Sequence, residues 1–203
     1  MTASQCPTKI HLTTPRYDVR TIEPDDVTLR WAAWMADPAK VKHLNTKPLA
    51  LSLEDIRRYV AGFDHVKSHI LGIFEKGSGT MIGFWEVYID WTHREVLINV
   101  LVGEDRGRHE GITTRRETQR ALLPYFFQTL GLEAMRCAVV STNEPIRHIF
   151  DSRGLVHEHA SSKAAADGGA PVEILHFRLT KDEWTAMRAA RLERDRLAAK
   201  AAG

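Results

Sequence analysis

The stretch Val100-Leu-Val-Gly-Glu-Asp-Arg-Gly-Arg-His-Glu-Gly-Ile-Thr-Thr114 decides the fold of this chain. An apolar strand runs into a loop with glycines at positions 103, 107 and 111, and a long helical pattern follows at once. This order aims backbone N–H groups and a helix N-terminus at one point, where a phosphate or pyrophosphate can bind. Arg106 and Arg108 add positive charge there. The same residues also fit a polar strand-to-helix turn that binds no ligand.

The loop excludes two common nucleotide-binding motifs. No Lys-Ser/Thr pair closes it as in a Walker A loop, and the Gly-x-Gly-x-x-Gly pattern of dinucleotide-binding domains is absent. The 203 residues predict one domain with a full core, and the net charge of +2 disfavours a general nucleic-acid binder. We find no signal peptide and no apolar stretch long enough to span a bilayer. Cys6 and Cys137 show neither metal-type spacing nor a disulfide framework, so a reducing cytoplasm is expected.

Hydrophobic periodicity on both sides of the loop predicts a mixed order of strands and helices. The predicted strands are 17–22, 69–75, 81–90, 95–102, 134–140, 155–159 and 172–179. The predicted helices open at 23–26, after Ser52, after the glycine loop, at Asn143 and at Lys181, and Pro124 should kink or divide the third. Residues 1–15 are interpreted as a flexible tail, 16–185 as the domain and 186–203 as a helical tail. The 161–171 linker is expected to be mobile.

Three segments resemble the GCN5-related N-acetyltransferase (GNAT) family. Arg108-x-x-Gly111-x-Thr113 resembles its Arg/Gln-x-x-Gly-x-Gly/Ala pyrophosphate loop, and Asn143-x-x-Ile146-x-x-Ile149-Phe150-x-x-x-Gly154-Leu155 resembles its Asn-x-x-Ala/Ser-x-x-Leu-Tyr-x-x-x-Gly-Phe segment. Residues 179–184 resemble the close of the RimJ/RimL-type branch. The resemblance implies an α+β fold with a mostly antiparallel sheet, a splayed pair of strands and helices on both faces. It also implies acetyl-CoA as co-substrate.

The resemblance assigns the cofactor contacts residue by residue. They are Leu101, Val102, Arg106, Gly107, Arg108, His109, Gly111, Ile112, Thr113, Thr114, Asn143 and Phe150. Four positions depart from the family pattern. Thr113 stands where Gly or Ala is usual, and Glu110 puts a negative charge beside the diphosphate unless it points outward. Phe150 stands where relatives often carry a tyrosine general acid, and Leu97 where many carry a glutamate base.

The departures leave the proton-transfer groups to other residues. Glu86, in the middle of a predicted strand, is the preferred general base, and His148 is the candidate proton donor to sulfur. Each has a plain alternative, an outward-facing glutamate and a surface histidine. Arg115, Arg116 and Arg120 either reach the nucleotide phosphates or form a solvated helix face. His157 and His159 lack a third ligand, so no metal site is predicted.

Two function hypotheses follow. The first is an acetyl-CoA-dependent N-acetyltransferase that acts on a primary amine by direct attack, either a protein N-terminus or a small amine such as an amino sugar. The second is a non-catalytic module that binds acyl-CoA as a regulator. Neither hypothesis involves nucleic acid or a membrane, and assembly as a homodimer is left open.

Overall fold

The computed structural model describes residues 9–41, 44–104, 108–152, 154–166 and 168–201. Eight strands form one sheet in the order β1-β2-β3-β4-β5-β6-β8-β7. The strands are β1 (His11–Thr13), β2 (Tyr17–Thr21), β3 (Ser68–Glu75), β4 (Met81–Asp90), β5 (Glu95–Val102), β6 (Ala134–Val140), β7 (Val156–Lys163) and β8 (Val172–Thr180). The helices are α1 (Leu29–Ala36), α2 (Pro38–Val41), α3 (Leu53–Ala61), α4 (Arg108–Pro124), α5 (Glu144–Ser152) and α6 (Lys181–Ala201). No helix in the described part of the chain is long and apolar enough to cross a membrane.

The sheet is antiparallel except where β5 meets β6. These two strands are parallel and pair only at their first residues, from Glu95 opposite Ala134 to Leu97 opposite Arg136. Beyond that point β5 continues to pair with β4, and β6 continues to pair with β8. The two halves of the sheet therefore separate along one seam, as the predicted splay requires.

Helices cover both faces of the sheet, because the strands alternate apolar residues toward both sides. One core lies under α4 and contains Trp85, Ile98 and Phe126. The other lies under α1 and α3 and contains Trp31, Ile56 and Phe84. Ser52 caps α3, since its Oγ accepts the Asp55 N–H at 3.1 Å and the Asp55 carboxylate accepts the Ser52 N–H in return. The predicted fold class is confirmed.

Two boundaries differ from the sequence predictions. The tail assigned to residues 1–15 contains β1, which pairs with β2, so at least residues 11–13 belong to the sheet. The predicted mobile linker begins too early, since β7 runs to Lys163 and pairs with β8. Both errors have the same origin, because edge strands of polar residues lack the apolar alternation that identifies a strand.

Pro124 divides the long helix as predicted. The α-helix ends at Pro124, and a π-helical turn follows over Tyr125–Thr129. Proline has no N–H to donate and displaces the preceding carbonyl, which favours such a break. Gly131 closes the segment with φ of +68°, a conformation that glycine adopts without strain.

The buried His69 on β3 should make the stability of the fold sensitive to acid. Its side chain is fully buried, and burial lowers its pKa from 6.5 to about 4. The unfolded chain therefore binds a proton at His69 below pH 6.5, whereas the folded chain does not until about pH 4. We expect the free energy of unfolding to decrease as the pH is lowered from 6.5 to about 4, with a His69 contribution of up to about 3 kcal/mol. Urea unfolding of wild type and His69→Leu should show a shallower pH slope in the variant, and parallel curves would contradict the assignment.

Candidate active site

The gap between β5 and β6 opens into a cleft of about 970 Å³. The cleft passes through the sheet, because residues of α4 and α5 line it on one side and residues of α1 and α3 line it on the other. The cleft therefore has two halves. One half lies beside α4 and α5, and the other lies beside α1 and α3.

The N-terminal turn of α4 forms one end of the cleft. Gly111 and Ile112 line it, and a Cβ built on Gly111 meets no atom within 4 Å. An anion can therefore approach the helix N-terminus here, where unpaired N–H groups and the helix dipole favour negative charge. For Arg108 and His109 the structure places only the helical backbone, and Arg106 and Gly107 lie outside the described residues.

The two threonines of the predicted loop point elsewhere. The Thr114 hydroxyl is buried 2.9 Å from the Tyr17 hydroxyl on β2, so it ties α4 to the sheet. Thr113 lines a separate shallow groove beside Thr14 and Arg116. The side chains of Thr113 and Thr114 are therefore not brought into the cleft. For the same reason the bulk of Thr113, where relatives have Gly or Ala, does not narrow it.

Gly103 serves packing rather than anion binding. A Cβ at this position would lie 2.0 Å from the Trp34 ring. The indole of Trp34 therefore packs directly on the backbone at the end of β5, and its Nε1 donates to Glu104 Oε1 at 3.2 Å. This contact holds α1 against the strand that leads into the glycine loop.

The end of β5 exposes backbone groups to the cleft. Leu101 and Val102 both line it, and both still pair with β4 on their other edge. In an antiparallel ladder successive residues point their N–H groups to opposite edges of the strand. One of these two residues therefore directs its N–H into the gap, where it can polarise a carbonyl oxygen.

Helix α5 forms the wall opposite β5. Asn143 lines the cleft just before the helix, and its carbonyl accepts the N–H groups of Ile146 and Arg147, each at 3.1 Å. Phe150 also lines the cleft and packs on Phe177 with ring centroids 4.9 Å apart. Phe150 offers an apolar surface and no proton.

His148 is not brought to the cleft. It is exposed on α5 and does not line the cavity. The helical period explains this, because His148 precedes the inward-facing Phe150 by two residues and so lies on the opposite side of α5. The proposed donation of a proton from His148 to sulfur therefore lacks geometric support.

Glu86 lies in the cleft with three hydrogen-bond donors around its carboxylate. Tyr59 Oη donates to Oε1, while Asn99 Nδ2 and Tyr88 Oη donate to Oε2 at 3.2 and 3.4 Å. Partial burial, together with the negative charge of Glu86, raises the pKa of Tyr59 far above its usual value. Tyr59 therefore stays protonated and holds the carboxylate in place.

The structure separates Arg115 from Arg116 and Arg120, with which the sequence analysis grouped it. It lines the cleft one turn after Gly111 and is only 5% exposed, whereas Arg116 and Arg120 are exposed and line the separate groove. Its burial excludes the solvated helix face as its role, while contact with the nucleotide phosphates stays a prediction. Its spacing of four from Gly111 was the available signal, because residues four apart share a helix face.

Two loops meet over the half of the cleft that lies beside α1 and α3. Asn45 Nδ2 donates to the Ala164 carbonyl at 3.1 Å, and Asn45 Oδ1 accepts the Ala166 N–H at 3.0 Å. This pair of bonds joins the segment after α2 to the segment after β7, and Asn45 itself lines the cleft. This part of the cleft is therefore partly covered.

Comparison with known proteins explains this architecture. The family model of the GNAT acetyltransferase domain matches residues 16–156. The chain belongs to the GNAT acetyltransferase family. Acetyl-CoA is the acyl donor of this family. A sequence search of curated proteins found no significant match.

Solved GNAT structures share the fold. A GCN5-related N-acetyltransferase from Brucella melitensis aligns with a TM-score of 0.73 at 16% identity, covering 91% of this chain and 85% of its own. A GNAT acetyltransferase from Bacillus anthracis aligns at 0.70 and 16%, covering 86% and 100%. Spermidine N-acetyltransferase from Vibrio cholerae, solved with CoA and spermine, aligns at 0.71 and 16%, covering 86% and 98%.

Proposed function

We propose that this GNAT protein transfers the acetyl group of acetyl-CoA to a primary amine by direct attack, with Glu86 as the general base. One observation carries the proposal. A single cleft joins an open helix N-terminus at one end to a half-buried, hydrogen-bonded carboxylate at the other. The first feature suits a pyrophosphate and the second suits an amine.

The half of the cleft beside α4 and α5, here called the cofactor half, would hold acetyl-CoA along the gap. The backbone of Gly111 and Ile112 would meet the pyrophosphate, and Asn143 would hydrogen-bond the pantetheine arm. The inward N–H at Leu101 or Val102 would donate a hydrogen bond to the thioester oxygen. Phe150 would pack against the apolar part of the arm.

The half of the cleft beside α1 and α3, here called the acceptor half, would hold a neutral amine beside the thioester. A protonated amine has no free lone pair, so a base is needed most when the amine pKa lies well above the working pH. Glu86 lies between the two halves and can accept the proton directly or through one water. Holding the amine and thioester together supplies a further part of the rate enhancement.

The walls of the acceptor half favour an amine with an apolar body. They consist mainly of apolar and aromatic side chains: Trp31, Met35, Leu44, Leu49, Leu51, Ile56, Tyr59 and Phe84. Polar side chains also line the cleft (Lys40, Asn45, Asp55, Ser161 and Lys163), but a sugar hydroxyl against the apolar wall would lack a partner, at a free-energy penalty. A peptide N-terminus with an apolar first side chain fits better. Membership of the RimJ/RimL branch, a cytoplasmic location and a homodimer stay predictions.

Thiol release from acetyl-CoA tests the proposal. The protein is incubated with a peptide that begins with leucine, with the same peptide carrying an acetylated N-terminus, and with glucosamine. We expect CoA release above background only where a free amine is present, and faster release with the peptide than with the sugar. Tight CoA binding without release from any amine would instead support the non-catalytic module.

A further inference from the structure

Arg115 carries a buried charge for which the described residues offer no anion. Its Nε and Nη1 are buried without a hydrogen-bond acceptor. The guanidinium lies over the Phe150 ring, 4.7 Å from its centroid. Cys137 on β6 is its one titratable neighbour in the described part of the chain.

This surrounding destabilises the cation. Burial lowers the pKa of Arg115, and the contact with the Phe150 ring offsets only part of the lost hydration. Burial also raises the pKa of the Cys137 thiol to about 12, so Cys137 supplies no negative charge. Because buried charges in proteins are normally paired, the anion that pairs with Arg115 is expected to be a bound ligand.

Two contacts place Arg115 deeper in the cleft than the proposed pyrophosphate site. Arg115 follows Gly111 by one helical turn, about 6 Å along the helix axis. It contacts Phe150, and its neighbour Cys137 follows the last residue of β6 that pairs with β5. The guanidinium therefore lies near the apex of the gap, between the cofactor half and the acceptor half, where the proposed acetyl transfer would put the thioester.

We propose that Arg115 stabilises the CoA thiolate as it leaves, an inference that rests on the proposed acetyl transfer. The amine lone pair forms the new N–C bond, the C–S bond breaks, and its electron pair stays on sulfur. The amine proton passes to Glu86, and the thiolate is later protonated by solvent. Arg115 keeps its own proton and stabilises the thiolate by its positive charge. Phe150 has no proton to donate to the thiolate.

The acidity of bound CoA tests this role without turnover. The pKa of the bound thiol is measured from the ultraviolet absorbance of the thiolate in wild type, Arg115→Met and Arg115→Lys. We expect Arg115→Met to raise this pKa by one pH unit or more, a tenfold or greater loss of preference for the thiolate. Arg115→Lys should retain part of the effect, and the exposed Arg116→Met should match wild type.

Binding of desulfo-CoA separates this role from a structural one. Arg115→Met should weaken CoA at high pH tenfold or more but leave the affinity for desulfo-CoA unchanged. Methionine is similar in length and uncharged, so the variant is expected to fold. Equal losses with both ligands and an unchanged thiol pKa would overturn the proposal.

Turnover measurements address the remaining outcomes. With the amine found above, Arg115→Met should lower kcat at least tenfold, and Phe150→Tyr in that background should restore part of it by supplying a proton. If wild type instead prefers succinyl-CoA to acetyl-CoA and Arg115→Met removes that preference, Arg115 binds an acyl carboxylate and the thiolate role is wrong. Absence of turnover with every amine contradicts the proposed function, while the thiol pKa still decides the role of Arg115.

Discussion

Gly111→Trp is expected to abolish CoA binding while the protein stays folded. The new side chain has room, because a Cβ at Gly111 meets no atom within 4 Å and the backbone is not in the left-handed region. The indole would extend into the cleft beside the N-terminus of α4 and displace the pyrophosphate. Loss of two charge-assisted hydrogen bonds costs about 3 kcal/mol, which is on the order of 100-fold in Kd.

Isothermal titration calorimetry with CoA measures this loss directly. Gly77→Trp is the matched control, because Gly77 lies in the β3–β4 turn, also has no atom within 4 Å of a built Cβ, and does not line the cleft. Both variants should melt close to wild type. A folded Gly111→Trp protein with unchanged CoA affinity would show that the pyrophosphate binds elsewhere.

Glu86→Gln should lower kcat/KM about 100-fold, the lower end of the range for loss of a general base. Glutamine keeps the shape of the side chain and can still accept the Tyr59 hydrogen bond, so the main change is loss of the proton acceptor. The loss should grow as pH falls, because Glu86 lets the wild type take the proton from a bound ammonium group. The variant depends instead on the neutral fraction of the amine, which drops about tenfold for each pH unit below its pKa.

The pH–rate profiles of wild type, Glu86→Gln and Glu95→Gln distinguish catalysis from a general change of charge. Glu95 lies at the start of β5, pairs with Arg136 and does not line the cleft, so its variant should follow wild type. Superimposable profiles for Glu86→Gln and wild type would remove Glu86 as a base. Positioning by the backbone and exclusion of water from the amine would then carry the rate.

The central elements were predictable from local sequence because their signals are local. The strand over Ala134–Val140 and the N-cap at Ser52 depend on alternation or on residues three apart, which a short window contains. The start of α4 within the glycine-rich segment and the placement of Asn143 and Phe150 beside one cleft were likewise expected from motif resemblance. Strand β1 escaped prediction, because its stability comes from pairing with a distant partner and not from its own composition.

Only the tertiary structure shows which individual side chains point into the cleft. Thr113, Thr114 and Arg115 are consecutive on α4, yet the first lines an outer groove, the second bonds to β2 and the third enters the cleft. Helical geometry separates successive residues by about 100°, so their directions relative to one another follow from sequence alone. Which direction meets the gap depends on where β5 and β6 part, and those strands are brought together by residues far apart in the chain. The same reason explains why Glu86 proved to lie in the cleft and His148 outside it.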